Sequence, residues 1–159
     1  MAQLSLHSPI GDLTVTEEDG SIISLDWGWV PEKWQTATPL LETALEQLNQ
    51  YFDGEIGDFD LPLDPSGTDF QKQVWAEMLK IPAGHTRSYG EVAKTLKSAA
   101  QPVGTACGAN PIPIIIPCHR ILAAGGKMGG YSGDGGLDTK KALLRLENAL
   151  PDEQQVFDL

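Results

Sequence analysis

Several kinds of residue are scarce in this chain of 159 residues, and each scarcity excludes a class of protein. Only two cysteines are present, Cys107 and Cys118, which excludes a small scaffold held together by several disulfides. No apolar run approaches the roughly 18 residues that a membrane-spanning helix requires. The first residues lack a basic segment followed by an apolar one, so no secretory signal is predicted. We therefore expect a cytoplasmic protein with reduced thiols and no membrane partner.

Basic residues are also few, and their distribution is uneven. The chain has 11 Lys and Arg against 22 Asp and Glu, a net charge of -11. Residues 1–66 carry 13 acidic residues and a single base, whereas residues 67–150 carry 10 basic and 6 acidic residues. The average charge argues against nucleic acid as a partner, because phosphate contacts need Lys and Arg. The asymmetry predicts that any polyanion would bind the second part of the chain and avoid the first.

The first part of the chain has the pattern of a small α/β unit. Alternating apolar residues on both sides of residues 8–12 predict a β-hairpin, and residues 21–27 predict a third strand. Apolar residues at helical spacing predict a helix over residues 39–52. Residues 57–67 hold two prolines, three aspartates and two glycines, a composition typical of a linker. We therefore place an N-terminal α/β domain at residues 1–63.

Two capping-box patterns predict helices in the second part of the chain. Thr68 is followed by Gln71, and Ser88 by Glu91, at the spacing with which each residue can cap the backbone of the other. A further helix is predicted near Pro102, because proline suits a first helical turn. The second and third of these helices, separated by a tight turn, predict a helix-turn-helix motif.

The remaining segments complete a mainly helical C-terminal domain, which we place at residues 68–150. Residues 112–117 are predicted to be a buried extended run. A last helix is predicted to begin at Asp138, a residue type that caps helices. Residues 151–159 are acidic and are predicted to be a loosely held tail.

Cys118 occupies an unusual chemical setting. It follows three isoleucines and a proline and is followed by His119 and Arg120. Nearby cations stabilise a thiolate and make a cysteine nucleophilic. Glu147, at the border of the apolar face of the last helix, could orient the His119 imidazole so that it takes the thiol proton. The alternatives are a cysteine that only packs in the core and a glutamate that only lies in solvent.

No metal site is predicted from the spacing of the possible ligands. His85, Cys107, Cys118 and His119 show none of the short spacings that are typical of zinc sites. Cys107 lies within a short predicted helix among small residues, so we expect it to pack as a small hydrophobic side chain.

Five segments, in one order along residues 68–148, together point to a known family. They are residues 86–90 (Thr-Arg-Ser-Tyr-Gly), 108–113 (Gly-Ala-Asn-Pro-Ile-Pro), 116–120 (Ile-Pro-Cys-His-Arg), 129–133 (Gly-Gly-Tyr-Ser-Gly) and 143–147 (Leu-Leu-Arg-Leu-Glu). In these segments the chain resembles the O6-alkylguanine-DNA alkyltransferases, also called methylated-DNA-protein-cysteine methyltransferases.

The resemblance implies a fold and an activity. The fold would combine a ribonuclease H-like N-terminal α/β domain with a winged-helix-like C-terminal domain, whose helix-turn-helix enters the minor groove. The activity would be DNA repair by irreversible transfer of the alkyl group of O6-alkylguanine to the protein's own cysteine in a single turnover. O4-alkylthymine is a second candidate substrate. Double-stranded DNA containing alkylated guanine would be the partner, no cofactor is implied, and a monomer is expected.

The resemblance also implies roles for individual residues at the reacting centre. Cys118 would accept the alkyl group, and His119 would act as a base through a water molecule. Glu147 would orient His119, and Asn110 would support the turn beside the nucleophile. The target base would be flipped out of the duplex, because its alkyl group cannot be reached inside the stack.

Further residues would bind the flipped base and the DNA. Tyr89 would donate a proton to the guanine ring, and Tyr131 and Ser132 would line the pocket, with Ser132 contacting the alkylated oxygen. Gln101 stands where the family usually has an intercalating arginine, and Gly108 stands where a second arginine is usual. Weak DNA binding is therefore expected. Each lost phosphate contact lowers the slope of log binding constant against log salt concentration by about 0.9. The cations expected to hold phosphate are Arg87, Lys94, Lys97, Arg120 and Lys127.

Two other functions fit parts of the same pattern. A lesion sensor of the same family would bind damaged DNA without repairing it, but such proteins lack the reactive cysteine that Cys118 provides. A thiol hydrolase could use Cys118 and His119. Neighbouring residues on an extended strand point to opposite faces, so direct contact between these two would be difficult.

Overall fold

A three-stranded antiparallel sheet and one long helix form the N-terminal part of the protein. The computed structural model describes residues 1–131 and 133–150, so Ser132 and the acidic tail at 151–159 lie outside the described residues. The strands are β1 (Ala2–Leu6), β2 (Leu13–Glu18) and β3 (Ser21–Trp27), in the order β1-β2-β3. The predicted hairpin and third strand are thus present. A short 3₁₀ turn follows at Glu32–Trp34.

Helix α1 (Pro39–Phe52) packs its apolar side onto this sheet. Its first turn is fixed by Thr38, whose hydroxyl accepts a hydrogen bond from the Leu41 backbone at 3.1 Å, and by Pro39. Buried α1 side chains at helical spacing meet the buried side chains of the strands. The first four residues of β2 are all buried, so buried and exposed residues alternate less in β2 than the sequence pattern suggests. The core of this part comprises Leu6, Leu13, Val15, Ile22, Leu25, Leu41, Ala44 and Leu48.

The segment predicted to be a linker lies along the outer edge of β3. The Ile22 backbone donates to Pro62 O at 2.8 Å, and the Asp64 backbone donates to Ile22 O at 2.9 Å. Leu63 pairs with Ile22 in a parallel bridge. Proline and glycine therefore correctly predict a lack of regular structure here, but the backbone is held by the sheet edge and is not detached from it.

Four helices form most of the C-terminal part. They are α2 (Asp69–Leu79), α3 (Tyr89–Thr95), α4 (Ala100–Gly108) and α5 (Gly136–Leu146), with a parallel pair of two-residue strands, β4 (Arg87–Ser88) and β5 (Ile121–Leu122). Further 3₁₀ turns occur at Cys118–Arg120 and Ala124–Gly126. Both predicted capping boxes form, at the starts of α2 and α3. Helices α3 and α4 pack together across the turn at residues 96–99, as predicted for a helix-turn-helix.

The buried run at residues 112–117 is not extended, and this prediction is wrong. Ile114 has a positive φ of 73°, and the segment folds back so that the Ile116 backbone donates to Ile112 O at 2.9 Å. Prolines at 113 and 117 remove two backbone donors that a strand would use. An apolar run predicts burial, which the segment has, but it does not determine the backbone conformation.

Helix α5 begins two residues earlier than predicted and ends just before Glu147. Gly136 is its first residue, and Asp138 lies in the first turn instead of at the cap. Glu147 follows directly after the last helical residue, Leu146. Among the described residues, no helix is both long enough and apolar enough to cross a membrane.

Contacts between the two parts bring the N-terminal sheet close to the C-terminal loops. The Leu25 backbone on β3 donates to Pro111 O at 3.0 Å. The ring of Trp27 meets the ring of Tyr131 edge-on, with centroids 6.5 Å apart. The expected mixed α/β fold is therefore confirmed, and its two parts share one contiguous apolar core.

Candidate active site

Cys118 lies at the wall of a cavity beside the helix-turn-helix. The cavity has a volume of about 420 Å³. Its lining residues come from α3, α4, the 3₁₀ turn at Cys118–Arg120 and the loop before α5: Tyr89, Gly104, Cys107, Gly108, Cys118, Gly130 and Tyr131. The side chain of Cys118 is buried, with 5% of the residue exposed, and the cavity gives a reactant a route to the sulfur.

The 3₁₀ turn at Cys118–Arg120 directs three neighbouring side chains to different surroundings. Such a turn has about three residues per revolution, so successive side chains diverge by roughly 120°. The extended geometry assumed from the sequence for Cys118 and His119 is therefore wrong. Within the part of the chain that the structure describes, no hydrogen bond joins the Cys118 sulfur to the His119 ring.

The Cys118 thiol is held in its protonated form. Burial raises the pKa of the thiol, while the Asn110 side chain, the Lys140 charge and nearby backbone N–H groups act in the opposite direction. A buried thiol with a raised pKa needs a base before it can react as a thiolate.

His119 is that potential base. The residue is completely buried, and its Nε2 atom lies 2.7 Å from Oε2 of Glu147. A carboxylate only accepts hydrogen bonds, so we assign the proton of the neutral ring to Nε2. Nδ1 is buried and has no hydrogen-bond partner among the described protein atoms. Burial lowers the pKa of the imidazole in spite of Glu147, so the ring is neutral and Nδ1 can accept a proton.

The Glu147 carboxylate is surrounded by four donors. Oε2 accepts from the Tyr51 hydroxyl at 2.5 Å, from His119 Nε2 and from Arg120 Nη2 at 3.0 Å, and Oε1 accepts from Arg120 Nε at 2.8 Å. Burial would raise the pKa of this carboxyl, but these hydrogen bonds outweigh it and lower the pKa to about 2. Glu147 is therefore a fixed negative charge that holds the imidazole, and it is not the solvated glutamate of the alternative interpretation.

The expectation that Arg120 holds DNA phosphate is not met. Only 2% of its side chain is exposed, because the guanidinium is enclosed between Glu147, Asp58 and two backbone carbonyls. Both carboxylates raise the pKa of Arg120 against the effect of burial. The charge is thus used inside the protein, where an unpaired guanidinium would be very costly.

Lys140 is a buried cation that the sequence analysis missed. Its Nζ donates to Ile121 O at 2.7 Å and to Gly130 O at 3.1 Å, and lies 5.8 Å from the centroid of the Tyr89 ring. Burial lowers its pKa, and the cysteines of the cavity act to raise it. Its burial could have been inferred from its position three residues before Leu143, on the apolar face of α5.

Tyr89 and Tyr131 both line the cavity. Tyr89, the first residue of α3, lies against the backbone of Gly129; a Cβ at this glycine would be 2.9 Å from the tyrosine ring, and its φ is +67°. Only glycine permits this close approach. Burial raises the pKa of Tyr89, so the hydroxyl is protonated. The Tyr131 hydroxyl is buried without a hydrogen-bond partner among the described residues, and Ser132 lies outside them.

Asn110 holds both ends of the turn that precedes Cys118. Its amide nitrogen donates to Ile116 O at 2.9 Å, and its oxygen accepts from the Ile112 backbone at 2.9 Å. These two bonds stabilise the bent 112–117 segment, which positions Cys118 at the cavity wall.

Gln101 is exposed in the first turn of α4, one turn before the cavity residue Gly104. Fewer of the cations expected to hold DNA phosphate are free on the surface than the sequence suggests. Lys94, Lys97 and Lys127 are exposed, but Arg87 is bound to Glu77 at 3.2 Å and to Thr95 at 2.9 Å. Within residues 1–131 and 133–150, no group of three His, Cys, Asp or Glu side chains is placed to hold a metal ion.

Two sequence profiles of known proteins match the chain. The DNA binding domain of 6-O-methylguanine DNA methyltransferase matches residues 69–149, and the ribonuclease-like domain of the same family matches residues 3–65. Together these profiles span both parts of the fold.

Similar proteins and structures carry related names. A methylated-DNA-protein-cysteine methyltransferase of Mycobacterium tuberculosis strain H37Rv is 44% identical, with 97% of each chain covered. One of Methanosarcina acetivorans is 47% identical over 76% of this chain and 77% of the relative. A crystal structure of Mycobacterium tuberculosis OGT in complex with DNA has a TM-score of 0.83 and 42% identity, covering 99% of this chain and all of that one. An O6-methylguanine DNA methyltransferase from Methanococcus jannaschii has a TM-score of 0.65 and 25% identity, with 94% and 96% covered.

Proposed function

The chain belongs to the 6-O-methylguanine DNA methyltransferase family, and from that premise we propose that it moves the alkyl group of O6-alkylguanine in duplex DNA onto Cys118. It is a methyltransferase that binds DNA and acts in repair. The observation that carries the assignment to Cys118 is its position at a cavity beside α3 and α4, next to a neutral imidazole that is held by a buried carboxylate.

The first step of the proposed reaction is activation of the thiol. In this step a water molecule between the Cys118 sulfur and the His119 ring passes the thiol proton to Nδ1 of His119, while Nε2–H remains hydrogen-bonded to Glu147. The new imidazolium is stabilised by the negative charge of Glu147 at 2.7 Å. Lys140, held by two carbonyls behind the cavity, favours the thiolate electrostatically.

The second step is displacement at the alkyl carbon. The thiolate forms a sulfur–carbon bond as the carbon–oxygen bond to O6 breaks, and the bonding pair of electrons passes to the guanine ring. Tyr89 can supply a proton to that ring, because burial keeps its hydroxyl protonated. The product is a thioether, which has no ionisable thiol, so each molecule reacts once. Alkylated O4 of thymine offers the same type of carbon–oxygen bond, and we propose it as a second substrate.

Access to the base requires extrusion from the duplex, because the alkyl carbon is not reachable inside the stack. We propose that α4 contacts the DNA, that Gln101 fills part of the space left by the flipped base, and that Tyr131 and Ser132 contact the base itself. Few exposed cations lie near α4, so we expect weak binding to alkylated duplex DNA, with a shallower salt dependence than more phosphate contacts would give.

We propose the following organisation for the chain. Residues 1–63 and 68–150 act as two domains and 151–159 as an acidic tail, with support from the separate profile matches at 3–65 and 69–149. A monomer in the cytoplasm fits the single-turnover chemistry and the two free cysteines.

The test is the mass of the protein after incubation with duplex DNA containing O6-methylguanine. We expect one methyl group per chain, located on Cys118 by peptide mapping, and none in Cys118→Ala. Cys107→Ala is the matched control, since Cys107 lines the same cavity and should leave the adduct unchanged. DNA binding without an adduct would instead indicate a lesion sensor, and methyl release over many turnovers would indicate a hydrolase; either result rejects the proposal.

A further inference from the structure

Asp58 connects the buried Arg120–Glu147 pair to the protein surface, and we propose that its negative charge sets the strength of His119 as a base. The inference rests on the proposed function, because it takes His119 as the group that receives the Cys118 proton. It makes Asp58, a residue of the N-terminal part, a positioning residue for chemistry that occurs in the C-terminal part.

Arg120 is shared between two carboxylates. Its Nη1 donates to Asp58 Oδ1 at 2.7 Å and to Ile81 O at 2.6 Å, while Nη2 donates to Gly57 O at 2.9 Å. The Nε and Nη2 atoms also reach the two oxygens of Glu147. A continuous chain of contacts therefore runs from Asp58 through Arg120 and Glu147 to His119.

The charges along this chain explain why Asp58 matters. Arg120 carries one positive charge, and Glu147 and Asp58 carry one negative charge each. With His119 neutral, the cluster has a net charge of -1, and protonation of His119 brings it to zero. If Asp58 were neutral, Arg120 would cancel Glu147, and protonation of His119 would leave a buried net positive charge, which is unfavourable.

Among the described groups that face His119, no other can take the place of Asp58. Lys140 is a second cation and acts against protonation of the imidazole. Tyr51 and Tyr131 are neutral, because burial raises the pKa of both hydroxyls. Among the described groups that interact with this cluster, Asp58 is thus the one anion besides Glu147.

The expected effect is moderate because the Asp58 side chain is 59% exposed and water screens its charge. A direct opposite charge shifts a pKa by about 1 to 3. A screened charge acting through Arg120 should have less effect, so we expect the thiolate population, and with it the rate, to fall about three- to tenfold when Asp58 is neutralised.

The experiment measures single-turnover methyl transfer against pH, using duplex DNA with O6-methylguanine, for the native protein and for Asp58→Asn. Asp58→Asn should be about three- to tenfold slower near pH 7. The difference should shrink at high pH, where hydroxide deprotonates Cys118 without His119. Asp58→Glu should restore much of the rate. Asp60→Asn is the matched control, since it removes an exposed charge from the same segment and should react like the native protein.

An NMR titration of the His119 ring in the DNA-free protein supplies an independent readout. The pKa of His119 should be lower in Asp58→Asn than in the native protein, and a purely structural role for Asp58 would not predict this change. An unchanged titration, or a rate loss that is equal at every pH, overturns the inference. Absence of a methyl adduct in the native protein rejects the proposed function instead, and the titration still decides the role of Asp58.

Discussion

Replacing Glu147 by glutamine should destabilise the folded protein by roughly 3 kcal/mol at neutral pH. The carboxylate accepts hydrogen bonds from Tyr51, His119 and two nitrogens of Arg120, which lower its pKa from 4.5 to about 2. At about 1.4 kcal/mol for each tenfold change in the dissociation constant, this preference for the charged form contributes roughly 3 kcal/mol. Breaking a buried ion pair by removing one partner gives a similar figure, about 3 to 5 kcal/mol.

The sign of the pH dependence follows from the lowered pKa. The stabilisation is complete above the unfolded-state value near 4.5 and is lost as the pH falls toward 2. The difference in unfolding free energy between the native protein and Glu147→Gln should therefore narrow as the pH falls from about 5 to about 2.

Urea denaturation followed by circular dichroism measures this difference. Glu46→Gln, which changes an exposed carboxylate on α1, is the control and should alter the free energy of unfolding by less than about 0.5 kcal/mol. A loss below about 1 kcal/mol at pH 7 for Glu147→Gln, or a difference that stays constant with pH, would refute the assignment of Glu147 as a buried charge that stabilises the fold.

Three further predictions concern the cavity and the DNA-binding side. Gln101→Arg should tighten binding to duplex DNA and steepen its salt dependence by about 0.9 in fluorescence anisotropy, and an unchanged affinity would place the DNA elsewhere. Lys140→Met should slow alkylation of Cys118 by a small thiol-alkylating reagent at neutral pH, because it removes a charge that favours the thiolate. Equal alkylation rates for the native protein and Lys140→Met would contradict that role. Gly129→Ala should lower stability by about 1 to 3 kcal/mol in thermal melts and slow methyl transfer, since its φ is +67° and its Cβ would collide with Tyr89; normal transfer would show that Tyr89 can move freely.

Local structure could be predicted from the sequence where short-range physics determines it. Helix α1 matches the predicted bounds of 39–52, and the capping boxes at Thr68 and Ser88 mark the starts of α2 and α3. The hairpin forms where alternating apolar residues flank the predicted turn, and β3 lies at the predicted positions 21–27. In each case the information lies within a few residues of the chain, in a cap, a period or a turn.

The parts that could not be predicted depend on long-range contacts. Tyr51 and Asp58 reach Glu147 and Arg120 from distant positions in the sequence, and no local pattern connects them. Arg120 was expected to be one of the cations that hold DNA phosphate, and only its paired carboxylates show why it is buried instead. The position of Lys140 among apolar residues of α5 gave a sign of burial, but not of its contact with the cavity wall.

In the proposed reaction, which consumes the protein, the raised pKa of Cys118 has a protective effect. A thiolate exposed to the cell would be oxidised or alkylated by unrelated small molecules, and every such event would waste a whole molecule. Because burial keeps the sulfur protonated and confines access to a narrow cavity, the resting thiol is poorly reactive. The burial that makes the thiol weakly reactive on its own therefore also protects it from side reactions before it meets an alkylated base.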